Sequence, residues 1–228
     1  MKAVCVIPAR GGSKRLPRKN VVEFFGKPMI AYSIEAATAS KRFERIVVSS
    51  DDPETLEIAR KYGADPVERK SSLASDTARI SEVLLDFLDQ EEAAGRKYDV
   101  LGCLLAAAPL RRAEDVAAVI DLIKPGICDF AIAVTEYDLP PHQALKLDAD
   151  GALKPMWPDL VDLRDEQVGK LVVDNGSTYA ATVAAFRKQR NFYGSPLRGY
   201  AMPRERSVDL NSSVDLEIAK VHYRQLNS

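Results

Sequence analysis

No surplus of positive charge is available in this chain: 32 Lys and Arg stand against 33 Asp and Glu. A global field that would hold nucleic acid or a membrane surface is therefore excluded, and no such partner is expected; any bound anion must sit in a local cluster. Cysteine is scarce as well. Cys5, Cys103 and Cys128 each lie in a short apolar run, without CxxC pairing or zinc-ligand spacing, which argues for buried, reduced thiols and a cytoplasmic protein. No apolar run reaches 18 residues, and the first eight residues meet a proline and then a charged loop too soon for a secretory segment. Internal repeats, low-complexity tracts, a Walker A sequence and a GxGxxG are all missing. What remains is a chain of 228 residues, 46% hydrophobic and 29% charged, enough for one domain over 1–228 with a sizeable core and at most a small appendage.

Short β-branched runs alternate with stretches of helical period, the pattern of an α/β fold with a mostly parallel sheet and helices on both faces. Strands are predicted at 3–7, 45–49, 100–105, 130–134, 177–181 and 199–202. Helices are predicted from Pro28, after Asp51-Asp52-Pro53 up to Gly63, over 77–94, over 113–123, near 184–188, and from about Val214. Between 137 and 173 the rhythm breaks. Prolines at 140, 141, 155 and 158, the lone Trp157 and the turn signal Asp150-Gly151 predict hairpins and loops, hence an insertion.

Directly after the first strand comes Ile7-Pro-Ala-Arg-Gly-Gly-Ser-Lys-Arg-Leu-Pro-Arg-Lys-Asn20. Open α/β sheets bind ligands at the carboxyl ends of strands. Two glycines let backbone amides approach an anion, and Arg10, Lys14, Arg15, Arg18 and Lys19 crowd into the same stretch. The loop suits a polyphosphate, although a solvated basic loop would read the same way.

That segment resembles the signature of the acylneuraminate cytidylyltransferases, the enzymes that make CMP-activated sialic acids, with their pseudaminic and legionaminic acid branches. The resemblance continues through Val-Val-Ser-Ser-Asp-Asp at 47–52, Glu-Arg-Lys-Ser-Ser-Leu-Ala-Ser-Asp-Thr at 68–77, Ala-Pro-Leu-Arg at 108–111, Asp-Asn-Gly-Ser-Thr-Tyr at 174–179 and Val-Asp-Leu-Asn at 208–211. It implies a Rossmann-like fold, with 137–173 as a dimerisation subdomain and a homodimer as the assembly. It also implies transfer of CMP from CTP to the anomeric hydroxyl of a nine-carbon acidic sugar, with release of pyrophosphate.

By the same resemblance Arg10, Gly11, Gly12, Ser13, Lys14, Lys19 and Asn20 would hold the triphosphate and ribose, with Arg69 as a further cation; Arg10, Lys19, Arg69 and Asp209 would carry the catalysis. Such a transfer needs alignment and charge cancellation above all. Asp209 matches the first carboxylate of an Asp-x-Asp pair for magnesium, and Asn211 stands at the second position, where an uncharged oxygen would bind metal more weakly. Asn175, Gly176 and Tyr179 match the segment that faces the sugar. Plainer readings stay open: Arg69 in a surface ion pair, Asp76 and Thr77 as a helix cap, Asn211-Ser212-Ser213 as another, and Tyr179 as a packed strand aromatic.

Two departures bear on the sugar. Leu105-Ala106-Ala107-Ala108-Pro109 replaces a polar Gln-Pro-Thr-Ser-Pro segment, and Val172-Val173-Asp174 stands where sialic acid members tend to carry an arginine. Arg164 is then the nearest candidate for the sugar carboxylate, and His142, in a Pro-Pro-His-Gln-Ala segment similar to the pseudaminic branch, a candidate contact. The competing readings are a Kdo cytidylyltransferase, a sugar-1-phosphate nucleotidyltransferase, and a degenerate CTP-binding homologue.

Overall fold

The computed structural model describes residues 1–75 and 77–227. In chain order the elements are β1 (Ala3–Pro8), a hairpin of β2 (Glu23–Phe24) and β3 (Lys27–Pro28), α1 (Met29–Ser40), β4 (Arg45–Ser50), α2 (Pro53–Lys61), β5 (Asp65–Glu68), α3 (Ile80–Ala93), β6 (Val100–Leu104), α4 (Ala113–Asp121) and β7 (Phe130–Glu136). There follow a second hairpin of β8 (Leu145–Leu147) and β9 (Leu153–Pro155), the single turn α5 (Asp165–Val168), β10 (Val172–Thr182), α6 (Val183–Gln189), β11 (Leu197–Ala201) and α7 (Ser213–Leu226).

Seven strands form one sheet in the order β11-β7-β10-β6-β1-β4-β5. Every neighbour pair in this sheet is parallel except those of β10, which runs antiparallel to both β6 and β7. From β1 the chain winds outward to β4 and β5, then crosses back through α3 to β6 on the other side. The strand order therefore reverses between β1 and β6, and the crevice beyond their carboxyl ends is where such a sheet binds ligand.

Both faces of the sheet are covered, which is why β1 and β6 read as unbroken apolar runs. In β1, Val4 and Val6 face Leu84, Phe87 and Leu88 of α3 together with Phe186 of α6. Cys5 and Ile7 face the other way, toward Ile30 and Ile34 of α1 and Ala59 of α2. Removing one of these fully buried aliphatic side chains from water contributes roughly 1.5–3 kcal/mol. A smaller cluster of Phe24, Met29, Leu210 and Ala219, bordered by Tyr32 and Tyr223, seats α7 against α1. It thereby fixes where the loop before α7 crosses the crevice.

Several boundaries differ from the sequence expectation. The helix expected from Thr77 starts at Ile80, because the Arg79 amide donates to the Glu82 carboxylate at 3.0 Å and sets the cap there; Asp76, expected beside it, lies outside the described residues. The edge strand β5 is not among the expected strands; its Pro66 is tolerated because β5 pairs only with β4. The strand at 177–181 extends back to Val172, whose pairing with Glu136 leaves residues 137–171 outside the main sheet. The fourth helix stops at Asp121 instead of continuing to Ile123.

Candidate active site

The crevice at the strand reversal holds a cavity of about 350 Å³. Its walls come from the loop after β1 (Arg10, Ser13, Lys14, Arg15, Lys19, Asn20), from Arg69 after β5, from the turn before α3 (Leu73, Ser75, Ala78, Ile80), from Leu105–Ala107 after β6, and from Asp209 and Asn211. Among these described residues five cations face one carboxylate, so the cavity presents net positive charge in a chain that carries none overall. That is the local cluster the charge balance demanded.

The loop is held by its own polar groups. Asn20, 8% exposed, donates to the Arg10 carbonyl at 2.9 Å and accepts the Ile30 amide at 2.9 Å, closing residues 10–20 against the start of α1. The Gly11 amide donates to Asp51 at 3.0 Å, and a Cβ at Gly11 would lie 2.9 Å from that of Asp52, so only glycine fits. Of the three amides expected at the phosphates, those of Gly11 and Ser13 are engaged inside the protein, the latter with the Gly11 carbonyl at 3.0 Å.

Lys19, Arg69 and Arg15 are held by neutral acceptors. Lys19 Nζ donates to the Leu210 carbonyl at 2.8 Å, and burial, helped by Arg15 and Arg10 and opposed by Asp209, pulls its pKa below the ordinary lysine value. Arg69 donates to the Ser49 carbonyl at 2.7 Å, and burial lowers its pKa too, against the pull of Asp51. The surface ion pair considered for Arg69 is not what this side chain does. Arg10 donates to the Ser75 carbonyl at 3.3 Å, drawing the turn before α3 over the loop.

Across the cavity, Asn211 donates to Asp209 Oδ2 at 2.6 Å and its amide oxygen accepts from Arg15 at 2.7 Å. Ser212 caps α7 through the Asp215 amide at 3.3 Å, so the cap and the site share this loop. Gly176, at φ +67°, stands opposite Asp209, where a Cβ would meet the carboxylate carbon at 3.4 Å. The glycine leaves that face of Asp209 open. A magnesium ion taking one carboxylate together with phosphate oxygens fits this donor set. Asn211 would have to release Arg15 to join it.

A second cavity, about 850 Å³, adjoins the first at Asp209. Asn175, Asp174, Ser207, Arg204, Tyr137 and His222 are among its walls. Asn175 is 6% exposed; its nitrogen donates to Ser207 at 3.1 Å and its oxygen accepts from the Ser177 amide at 3.1 Å. Tyr179 does not line either cavity: its ring packs on Phe192 at 5.3 Å between centroids, and burial and the Asp174 carboxylate raise its pKa. Tyr193 donates to that same carboxylate.

Arg164 and His142 are not brought to these cavities. Arg164 is exposed, its backbone amide donating to Gln167 at 3.0 Å at the head of α5. His142 is only 3% exposed, its Nε2 lying 3.0 Å from the Leu163 carbonyl, so it ties together the segment between β7 and β10. Sequence reasoning passed over Arg204, Asp174 and Tyr193. Asp174 had a signal, standing just before Asn-Gly; Arg204 reaches the cavity from the turn after β11, and Tyr193, in the loop before β11, touches it only through Asp174.

A basic crevice at the strand reversal of a doubly wound sheet, a lone carboxylate at its lip and a second cavity beyond define a nucleotide-binding transferase site. The sequence profile described as cytidylyltransferase matches residues 4–142. The chain is 34% identical over 225 residues to the pseudaminic acid cytidylyltransferase of Campylobacter jejuni, covering 98% of this chain and 97% of the relative. It is 32% identical to the CMP-N,N'-diacetyllegionaminic acid synthase of Legionella pneumophila, covering 94% and 93%. A solved CMP:2-keto-3-deoxy-manno-octonic acid synthetase complexed with CTP has a TM-score of 0.72 at 18% identity, covering 99% and 100%, and shares the fold. The chain belongs to the cytidylyltransferase family and is a nucleotidyltransferase.

Proposed function

We propose that this enzyme transfers CMP from CTP to the anomeric hydroxyl of a sialic-acid-like nonulosonic acid, with pseudaminic acid as the first candidate. The observation that carries the reading is that Asp209 lines both cavities. A triphosphate in the basic cavity and an acidic sugar in the larger one would meet beside that carboxylate. The sugar hydroxyl forms the new bond to the α-phosphorus, and the bond to the bridging oxygen of pyrophosphate breaks. Little covalent chemistry is asked of the protein, which supplies alignment and charge cancellation.

Lys19, Arg69 and Arg15, already held by neutral oxygens, would turn to the phosphates without first breaking an ion pair. Leu105–Ala107 supply an apolar wall that excludes water. Asp209 would hold magnesium, which when bound offsets the charge on the phosphate oxygens and the leaving group. Arg204, lining the larger cavity and paired with Asp138, is the cation placed to receive the sugar carboxylate. The insertion exposes Leu139, Leu145, Leu147, Leu153 and Trp157, apolar area suited to a homodimer interface; sedimentation of the purified protein tests that. The described helices include none long and apolar enough to cross a membrane, and with three buried free cysteines the setting we propose is the cytoplasm.

The deciding assay is pyrophosphate release from CTP and magnesium with pseudaminic, legionaminic and N-acetylneuraminic acids and Kdo offered separately. Turnover with a nonulosonic acid, reduced about 10³-fold in Asp209→Ala, is expected. Turnover with Kdo alone would replace this reading, and silence with all four acids despite CTP binding would remove it.

A further inference from the structure

Arg111 is the one buried arginine among the described residues. It is 3% exposed, and its acceptors are two backbone carbonyls and a hydroxyl instead of a carboxylate. Nη1 donates to the Ser177 carbonyl at 2.5 Å and to the Leu105 carbonyl at 3.3 Å; Nη2 donates to Leu105 at 3.3 Å and to the Ser33 hydroxyl. Ser33 in turn donates to the Ala106 carbonyl at 3.0 Å. Nε is buried without a partner, and desolvation pushes the guanidinium pKa down to about 10.

A cation buried on these terms is expensive, and an apolar side chain of similar volume would stabilise the fold better. What the fork does is join two segments. Leu105 opens the apolar wall of the nucleotide cavity, whereas Ser177 directly follows Asn175 and Gly176 on the side of the larger cavity. The backbone already links them once, through the Leu105 amide and the Ser177 carbonyl at 3.0 Å. The guanidinium adds the second link, and Ser33 ties both to α1.

We propose that Arg111 is a positioning residue that locks the nucleotide-side wall to the acceptor-side turn, so that the separation of the two substrates is set through its planar fork. This rests on the function proposed above. Lysine keeps the charge but cannot reproduce the fork, and a misplacement of an ångström between reacting groups costs about 10²-fold in rate.

The test is Arg111→Lys, with Ser33→Ala as a gentler variant, followed by kinetics and amide hydrogen exchange. The expected result for Arg111→Lys is kcat lower by roughly 30-fold, KM for CTP within about threefold of the parent, and faster exchange at 105–107 and 175–177 together. Ser33→Ala should show the same pattern at a few-fold. A folded Arg111→Lys with kcat within about twofold of the parent, or exchange that changes in neither segment or only one, overturns the proposal. Should the parent turn over no acid, the proposed function falls, yet the exchange of the two segments still decides the lock. Should Arg111→Lys not fold, Ser33→Ala decides it by the same two readings.

Discussion

Basic side chains keep different company at the two ends of the sheet. At the amino ends of the strands they meet acids. Arg45 lies between Asp65 at 2.6 Å and Glu91 at 2.5 Å, Arg96 adds two bonds to Glu91 at 2.7 Å, and Arg42 grips Asp121 at 2.7 and 2.8 Å. At the carboxyl ends Lys19, Arg69 and Arg111 donate to carbonyls and Arg15 to an amide oxygen, whereas away from the nucleotide cavity's walls Arg18, Arg204 and Arg206 pair with Glu54, Asp138 and Asp115. Pairing with a carboxylate neutralises a cation and fixes the fold. Holding it by a neutral oxygen fixes its position while leaving its charge for a ligand.

The comparison can be broken most directly at Glu91. This carboxyl is 4% exposed, and its hydrogen bond from Arg96, with further bonds from Arg45 and Tyr98, lowers its pKa from 4.5 to about 2. A lowered folded pKa means stability that is complete above the unfolded value and is lost as pH falls from about 4.5 toward 2. Glu91→Gln should cost about 3 kcal/mol in denaturant unfolding with kcat unchanged. A loss of turnover in a stable variant would erase the division between the two ends.

Arg69→Ala probes the opposite end. CTP affinity measured by calorimetry should fall about 10²-fold, the worth of a charged hydrogen bond to phosphate, while unfolding free energy changes little. A weaker version concerns the larger cavity: Arg204→Ala should raise the KM of the acidic sugar about tenfold and leave that of CTP alone. The smallest effect is in pH. Since burial lowers the Lys19 pKa and a bound phosphate would raise it again, CTP affinity should decline with rising pH before an ordinary lysine would titrate. In Lys19→Arg that decline should vanish; its persistence would assign the titration elsewhere.

The sequence carried the sheet better than it carried the site. Strands buried on both faces announce themselves by composition, as β1 and β6 do, and Asp52-Pro53 and Gly63 mark the ends of α2 by local chemistry. The direction of β10 has no such mark, because antiparallel and parallel strands share the same period. Loop contents were legible as residue types, so Arg10, Lys14, Lys19, Arg69 and Asp209 could be expected to share a site. Their partners were not legible, since a carbonyl acceptor such as that of Leu210 or Ser49 leaves no trace in residue identity. His142 shows the limit from the other side: read as a candidate sugar contact, it is buried on Leu163 and lines neither of the two cavities.

The antiparallel run of β10 against β7 confines the segment between them. Glu136 at the end of β7 and Val172 at the start of β10 are cross-strand partners, so the excursion between them leaves and re-enters the sheet at a single point. A tight turn could stand in its place without disturbing one rung of the ladder. The whole excursion could therefore change while the nucleotide crevice, walled by other segments, stays intact.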